Sequence, residues 1–166
     1  MKAYLYSLAA CALLLAWHVN AADANTNEWG TLTNNIQMSI SLEDRKEEIK
    51  PNQPVMLLIH FRNVSSNEIF QIYSIDEDSQ FSFMVISPSG KDVSPTMKGP
   101  PSGSGQFIRI DPNRTTEMEI SLSRLCKFDE IGKYKIVAKR WVDSITTRKP
   151  CLLVSNSLNV SVIPDK

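Results

Sequence analysis

The chain has 166 residues, with 18 Lys and Arg against 18 Asp and Glu, so its formal net charge at pH 7 is zero. A chain without a basic excess cannot neutralise many phosphates, which argues against nucleic acid as a partner. The sequence also has no polybasic cluster of the kind that binds anionic membrane surfaces.

The N-terminal segment has the features of a cleavable signal peptide. Lys2 is the only charged residue before Asp23, and residues 3–19 are almost wholly apolar. The segment ends at Val19-Asn20-Ala21, which places small or aliphatic residues at the two positions that a signal peptidase reads. We therefore predict a signal peptide over residues 1–21 and a secreted or periplasmic protein.

Two other interpretations of this segment stay open. The apolar run is slightly short for the roughly 20 residues of a membrane-spanning helix, but a retained segment would act as an anchor. Leu8-Ala9-Ala10-Cys11 has the residue types of a lipidation motif, although the apolar run continues past Cys11. The membrane is a partner only if the segment is retained or Cys11 is lipidated.

Two cysteines, Cys126 and Cys151, follow the signal segment. An exported domain with two cysteines allows one pairing, so we expect a disulfide between them. This bridge would close a loop of about 25 residues and stabilise the fold by roughly 3 kcal/mol in the chain-entropy model. The alternative is two free thiols in a reducing compartment.

The rest of the chain is read as a polar, flexible lead-in over residues 22–34 and one domain over residues 35–166. Within the domain, apolar and polar residues alternate with the period of two that is typical of strands buried on one face. The predicted strands lie at Ile36–Leu42, Val55–Phe61, Ile69–Tyr73, Phe81–Val85, Phe107–Ile110, Met118–Leu122, Tyr134–Trp141 and Leu158–Val162.

The segment Val55–Phe61 is apolar on both faces, so we place it centrally, with its odd-numbered residues pointing inward. No segment shows a long period of 3.6 residues, and turn residues separate the runs. About seven to nine short strands with such spacing predict an all-β fold, an immunoglobulin-like antiparallel β-sandwich.

Several motifs resemble bacterial immunoglobulin-like modules. Pro51-Asn52-Gln53-Pro54-Val55, followed by an apolar strand and Asn63-Val64-Ser65, is similar to their second strand. Phe128–Tyr134 resembles the entry to their sixth strand, and Ser155–Leu158 resembles the opening of the last one. The families most similar in these motifs are the BsuPI-type proteinase-inhibitor domain and the sandwich domain that precedes deuterolysin-type metallopeptidases.

This resemblance covers most of the domain and implies a sandwich with an interaction role, not a catalytic site. It also implies that Gly132 permits a corner in the chain and that the Tyr134 hydroxyl bonds back to loop backbone.

Catalysis is not expected from the sequence. His60 is the one histidine after the signal segment, and the sequence around it indicates no nucleophile or orienting acid. The cysteine and histidine spacings match no zinc site, and no glycine-rich phosphate loop precedes a helix, so we expect no cofactor and no metal. The acidic run Asp76-Glu77-Asp78 offers oxygen ligands to calcium but lacks the spacing of a calcium-binding loop, which favours a solvated hairpin tip.

The leading hypothesis is a non-enzymatic, exported module that binds an unknown protein partner through its loops or an open sheet edge. The candidate loops are residues 91–105, which contain Lys98 and lead into Phe107, and residues 143–150, which follow Trp141. Proteinase inhibition is one specific form of this hypothesis.

The alternative is a carbohydrate- or cell-envelope-binding accessory domain, in which an aromatic platform such as Trp141 or Trp29 contacts sugar. Asn63, Asn113 and Asn159 each begin an Asn-x-Ser/Thr sequence, which is a glycosylation site only in a eukaryotic host.

Overall fold

The computed structural model describes residues 28–44, 47–74, 81–96 and 106–165. In these ranges the chain forms ten strands and one 3-10 helix (Leu122–Arg124). The strands are β1 (Ile36–Leu42), β2 (Glu48–Ile49), β3 (Met56–Asn63), β4 (Phe70–Ser74), β5 (Ser82–Ile86), β6 (Gln106–Ile110), β7 (Thr115–Ser121), β8 (Gly132–Ser144), β9 (Pro150–Val154) and β10 (Leu158–Val162). Among the described residues, no helix has the length and apolar character needed to cross a membrane. The predicted signal segment and Cys11 lie outside the described residues.

The smaller sheet has three antiparallel strands in the order β1-β3-β7. Its central strand is β3, in which Leu57, Ile59 and Phe61 are fully buried. The register pairs Ile59 with Ile40 on one side and with Met118 on the other, so one row of apolar side chains crosses the whole sheet. The central position and the inward face predicted for this segment are both confirmed.

The larger sheet is organised around β8, which has 13 residues and pairs with strands on both sides. On one side β10 and β9 lie end to end along it, both antiparallel. On the other side β5 and β4 lie end to end in the same way, and β6 pairs with β4 at the outer edge. The short β2 joins the far edge by parallel pairing with β10.

The two sheets pack face to face around one apolar core. Alternate residues of β8 point into this core, from Tyr134 through Ile136 and Ala138 to Val142, and each is at most 1% exposed. They pack with the inward residues of the smaller sheet in a single buried cluster. Burial of apolar surface contributes about 25 cal/mol per Å² to the free energy of folding. This cluster is therefore the main stabilising contribution to the fold. The all-β immunoglobulin-like sandwich predicted from the sequence is confirmed.

One prediction about the C-terminal third needs correction. The segment between Trp141 and Leu158 was expected to be loop, with residues 143–150 as a candidate binding loop, but β8 continues to Ser144 and β9 (Pro150–Val154) contains Cys151. The connection is a tight turn in which the Arg148 N–H donates to the Ser144 carbonyl and Arg148 has a φ of 55°. The alternation in Pro150–Val154 is short and begins with proline, which hid this strand from a periodicity analysis.

The corner before β8 has the arrangement that the resemblance implied. The Tyr134 hydroxyl accepts a hydrogen bond of 2.9 Å from the Glu130 N–H, and the Tyr134 ring packs on Phe128 with centroids 4.9 Å apart. Gly132 has a φ of 128°, and a Cβ there would lie 2.8 Å from Pro88. The glycine therefore permits both the left-handed backbone and the close approach of the neighbouring turn.

Two sets of hydrogen bonds hold the outer edge of β1, one from Gly30 and one from the Asn156 side chain. The Gly30 N–H donates to the Met38 carbonyl at 3.0 Å, and a Cβ on Gly30 would lie 2.0 Å from the Val154 carbonyl oxygen. The Asn156 side chain accepts from the Ile40 N–H at 2.7 Å and donates to the Ile40 carbonyl at 3.1 Å. These contacts join β1 to the β9–β10 connection and close that side of the sandwich.

We predict that Tyr134→Phe destabilises the fold by about 1 kcal/mol, because it removes the acceptor of the Glu130 N–H while keeping the buried ring. Denaturant unfolding, followed by circular dichroism, measures this difference. An unchanged midpoint for Tyr134→Phe would show that the corner bond contributes nothing net to stability.

Candidate functional site

The most prominent exposed feature is an aromatic row on the outer face of the larger sheet. Trp141 on β8 and Phe107 on β6 are 63% and 61% exposed, the largest values among the exposed apolar side chains. Phe107 is paired with Tyr73, with ring centroids 4.7 Å apart, and Trp141 is paired with Leu152, which is 38% exposed. We call Phe107, Tyr73, Trp141 and Leu152 the aromatic row.

A second row fixes the relative position of these two pairs. Arg109, Gln71, Asp143 and Pro150 are joined in continuous register across β6, β4, β8 and β9. Each residue of the aromatic row lies two positions from one of them on the same strand, so both rows face the same way. We call Arg109, Gln71 and Asp143 the polar row, since Pro150 has no polar side-chain group. These three residues place planar hydrogen-bonding groups directly beside the aromatic side chains.

The aromatic row rests on a rigid support under β4 and β8. The Arg140 side chain is buried, and its guanidinium donates to the Tyr73 carbonyl and lies 4.3 Å from the Phe81 ring centroid. Burial lowers the pKa of Arg140 to about 10, so the group stays charged at neutral pH. The inward face of β8 therefore ties β4 to β8 at the level of the exposed row.

The structure brings together two of the three residues suggested from the sequence as a binding surface. Trp141 and Phe107 share one face, although no pattern in the sequence places them on the same row. Lys98, the third, lies outside the described residues, as does the acidic run 76–78. Trp29 is not part of this face, because its ring stacks on the Arg62 guanidinium at 4.3 Å.

His60 has partners that the sequence did not reveal. Its Nε2 lies 3.4 Å from the Ser41 hydroxyl and its Nδ1 lies 3.2 Å from a Glu117 carboxylate oxygen. The three residues come from β1, β3 and β7, and period two marks each of them as outward-facing. Only the strand order, which the sequence does not give, makes them neighbours.

The hydroxyl, imidazole and carboxylate of Ser41, His60 and Glu117 follow one another in the order of a serine-activating triad. The backbone around Ser41, however, does not suit acyl transfer. Ser41 lies within a flat strand, where the backbone N–H groups lie in the plane of the sheet and point alternately to its two sides. Such N–H groups cannot converge above the hydroxyl as an oxyanion hole requires. We assign these contacts a structural role in joining the three strands.

The expected disulfide between Cys126 and Cys151 is not formed in the structure, where both cysteines are free and buried. Cys126 follows the 3-10 helix, and its thiol approaches the Leu122 carbonyl at 3.7 Å. Cys151 points inward from β9 opposite Val142. The two cysteines thus take part in core packing from different elements.

Burial makes both thiols poor nucleophiles. It raises the pKa of Cys126 to about 11. The pKa of Cys151 is also raised, first by burial and then by the negative charges of Glu68 and Asp143. Because the thiolate is the reactive form, neither residue is suited to thiol catalysis.

The three glycosylation sequences differ in accessibility. Asn63 is fully buried, and its amide donates to the carbonyls of Glu68 and Ile110. Asn113 lies in an exposed turn with a φ of 56°, and Asn159 is exposed on β10. In the folded domain the Asn63 amide is therefore committed to joining the loop after β3 to the end of β6.

Metal binding finds no support in the described part of the chain. There, no group of three or more His, Cys, Asp or Glu side chains lies close enough to hold an ion.

No protein-family model matches the chain. No curated protein matches it at a significant level. Solved structures share its fold. The structural genomics target SoR45 aligns with 80% of this chain and 90% of its own, with a TM-score of 0.51 and 10% identity.

Two further structures have lower scores. The C-terminal domain of Wzt has a TM-score of 0.45 and 10% identity, over 83% of this chain and 78% of its own. The CARDB domain of a Pyrococcus furiosus protein, solved with di-metal ions, has a TM-score of 0.38 and 12% identity, over 81% and 94%. The likeness to SoR45, at 10% identity, shows the fold alone.

We predict that Cys126 and Cys151 are alkylated slowly in the native protein at pH 8 and rapidly after unfolding without a reductant. The reason is that burial keeps both thiols protonated and covered in the native state. Iodoacetamide labelling with peptide mass mapping, with and without concentrated guanidinium chloride, measures the two rates. Peptides that stay unlabelled in denaturant and are joined by a bond would instead reveal the disulfide expected from the sequence.

Proposed function

We propose that the chain is a non-enzymatic carbohydrate-binding module and that the aromatic row is its contact surface. The observation that carries this proposal is the coincidence of two highly exposed aromatic side chains with a parallel row of polar groups. Large exposed apolar patches rimmed by polar residues mark interaction sites on proteins. The platform lies on paired strands, which hold a binding surface more firmly than loops do.

The spacing of the aromatic side chains suits a chain of sugar rings. Phe107 and Trp141 are two strands apart, which corresponds to about 10 Å at the usual separation of paired strands. This distance is comparable with the length of two linked sugar rings. The apolar C–H face of a sugar can pack on an aromatic face, whose electron density is negative.

The polar row supplies hydrogen bonds that can fix the orientation of a sugar ring, which stacking alone does not do. Gln71 has both a donor and an acceptor, and Asp143 has two acceptor oxygens, so together they match the hydroxyl groups at the rim of a sugar ring. Arg109 is oriented by Asp111 at 2.6 Å. A few convergent polar groups beside apolar contacts are the usual arrangement in ligand sites.

A protein partner is the second candidate, and two observations favour it. Leu152 extends the row with an aliphatic side chain, and Tyr73 packs against Phe107 instead of presenting a free ring face. Trp, Tyr and Arg dominate the energetics of protein interfaces. The proteinase-inhibitor role belongs to this candidate. A panel of proteases assayed with the purified protein tests it, and absence of inhibition would remove that specific form.

We also propose that the protein is exported. This proposal rests on the signal-like segment alone, since residues 1–27 lie outside the described part of the chain.

We predict that Trp141→Ala and Phe107→Ala each weaken glycan binding about tenfold or more, because each removes one stacking surface. A glycan array identifies a bound oligosaccharide, and calorimetry then compares the variants with the original protein. Leu32→Ala is the matched control, since Leu32 is 51% exposed but precedes β1, outside the aromatic row.

Unchanged binding after both aromatic substitutions would exclude the aromatic row as the sugar contact. Absence of binding to every glycan, together with capture of a protein that Trp141→Ala abolishes, would favour the second candidate.

A further inference from the structure

A line of lysines runs along the strand that carries Trp141. Lys133, Lys135 and Lys139 are all exposed, and their odd numbers place them on the outer face of β8. We call these three residues the lysine column. Lys139 is two residues before Trp141, so the column leads directly into the aromatic row.

The neighbours of the lysine column are uncharged. On β10, Lys133 is paired with Ser161 and Lys135 with Asn159. The other cross-strand partners of the column are Ile86, Ser82 and Val154.

No salt bridge involves these lysines within the described ranges. The nearest acidic residues described on the same face are not adjacent to the lysine column. Asp143 lies beyond Trp141 on β8, and Glu48 lies on β2, two strands away. Among the described residues, therefore, no acidic side chain is paired with the lysine column; the acidic run 76–78, which precedes β5, lies outside them.

The lysine column runs along β8, whereas the aromatic row runs across the strands, and the two meet at Trp141. Val137, which lies between Lys135 and Lys139 on the same face, is 8% exposed. From Lys133 to Trp141 the strand covers eight residue steps, about 27 Å at the usual rise of an antiparallel strand. The three ammonium groups follow one line and are not clustered around a point. A linear ligand that lies along β8 can meet all of them, whereas a compact ion can meet one.

From this arrangement we infer that the ligand of the proposed carbohydrate site is an anionic polysaccharide whose sugar rings carry carboxylates. The inference rests on the proposed function. Sugar rings would stack on Trp141, and carboxylates on neighbouring rings would pair with Lys139, Lys135 and Lys133. The polar-row groups beyond Trp141 would form hydrogen bonds with sugar hydroxyls at the end of the ligand away from the lysine column.

The same face is less suited to other polyanions. An acidic peptide is usually bound in a groove or by pairing with a sheet edge, whereas this surface is the face of a sheet. Nucleic acid requires many phosphate contacts, and three lysines on a neutral chain neutralise about three charges. A carboxylated polysaccharide combines flat apolar ring faces with widely spaced charges, which matches both parts of the surface.

The test compares polygalacturonate with fully methyl-esterified polygalacturonate, which keeps the backbone and removes the charge. Affinity electrophoresis and calorimetry at low and high salt measure binding, and poly-L-glutamate and single-stranded DNA serve as non-sugar polyanions. The protein variants are Lys133→Gln/Lys135→Gln/Lys139→Gln and a control with the same loss of charge, Arg114→Gln/Arg124→Gln/Lys127→Gln, at exposed positions off β8. Thermal unfolding confirms that each variant is folded.

We expect polygalacturonate to bind in a salt-sensitive manner and the methyl ester to bind more weakly. The lysine variant should lose about tenfold in affinity, because each of three exposed charge pairs contributes a small factor to the binding constant. The control variant should retain its affinity.

Equal binding of the charged and esterified polymers, abolished by Trp141→Ala, would overturn the anionic ligand while leaving the carbohydrate proposal intact. Preferential binding of poly-L-glutamate or DNA, or binding of none of the polymers, would overturn the inference as well. Polygalacturonate binding that survives Trp141→Ala would instead count against the proposed site itself.

Discussion

The whole arrangement depends on the two-residue period of β8. Its even-numbered side chains from Tyr134 onward fill the space between the sheets, and its odd-numbered side chains lie on the outer face, where all but the buried Val137 are exposed. Hydrogen-bonded pairing on both sides of β8 fixes which of its side chains face inward, because β10 and β9 pair along one side and β5 and β4 along the other. A slip of one residue would bury lysines and expose the core, so packing energy enforces the orientation of the surface.

This constraint explains how a chain with no net charge has an uneven surface. On the outer face of the smaller sheet, β7 carries Glu117 and Glu119, whereas the outer face of the larger sheet carries the lysine column. The lysine column and this glutamate pair lie on opposite faces of the sandwich, although Arg62 shares the glutamate face and Asp143 shares the lysine face. A field of this kind orients a charged ligand as it approaches and has its main effect on association rate.

Sequence reasoning identified the fold because apolar alternation is a local property. Strands such as Ile36–Leu42 and the central strand with Leu57 and Ile59 followed directly from it. It failed for Pro150–Val154, where the alternating run is short and starts with proline. It also did not predict the arrangement of Cys126 and Cys151, which are free and buried in the structure, since compartment and count say nothing about which side chains meet.

The candidate site was harder to predict, because it depends on which strands are neighbours. Trp141 and Phe107 were recognisable as exposed aromatic candidates, but 34 positions separate them in the chain. Gln71 and Asp143 had no distinguishing signal, since only the register of β4 against β8 brings them together. The partners of His60 were missed for the same reason.

Asn156 has a wider consequence for how the protein behaves at high concentration. An exposed strand margin with free N–H and carbonyl groups is a template on which another molecule can add a strand, and such addition leads to aggregation. The Asn156 amide occupies both backbone groups of Ile40, and Gly30 occupies the carbonyl of Met38. At this margin of the smaller sheet, the fold therefore protects itself against self-association with one carboxamide and one close backbone contact, without using charge.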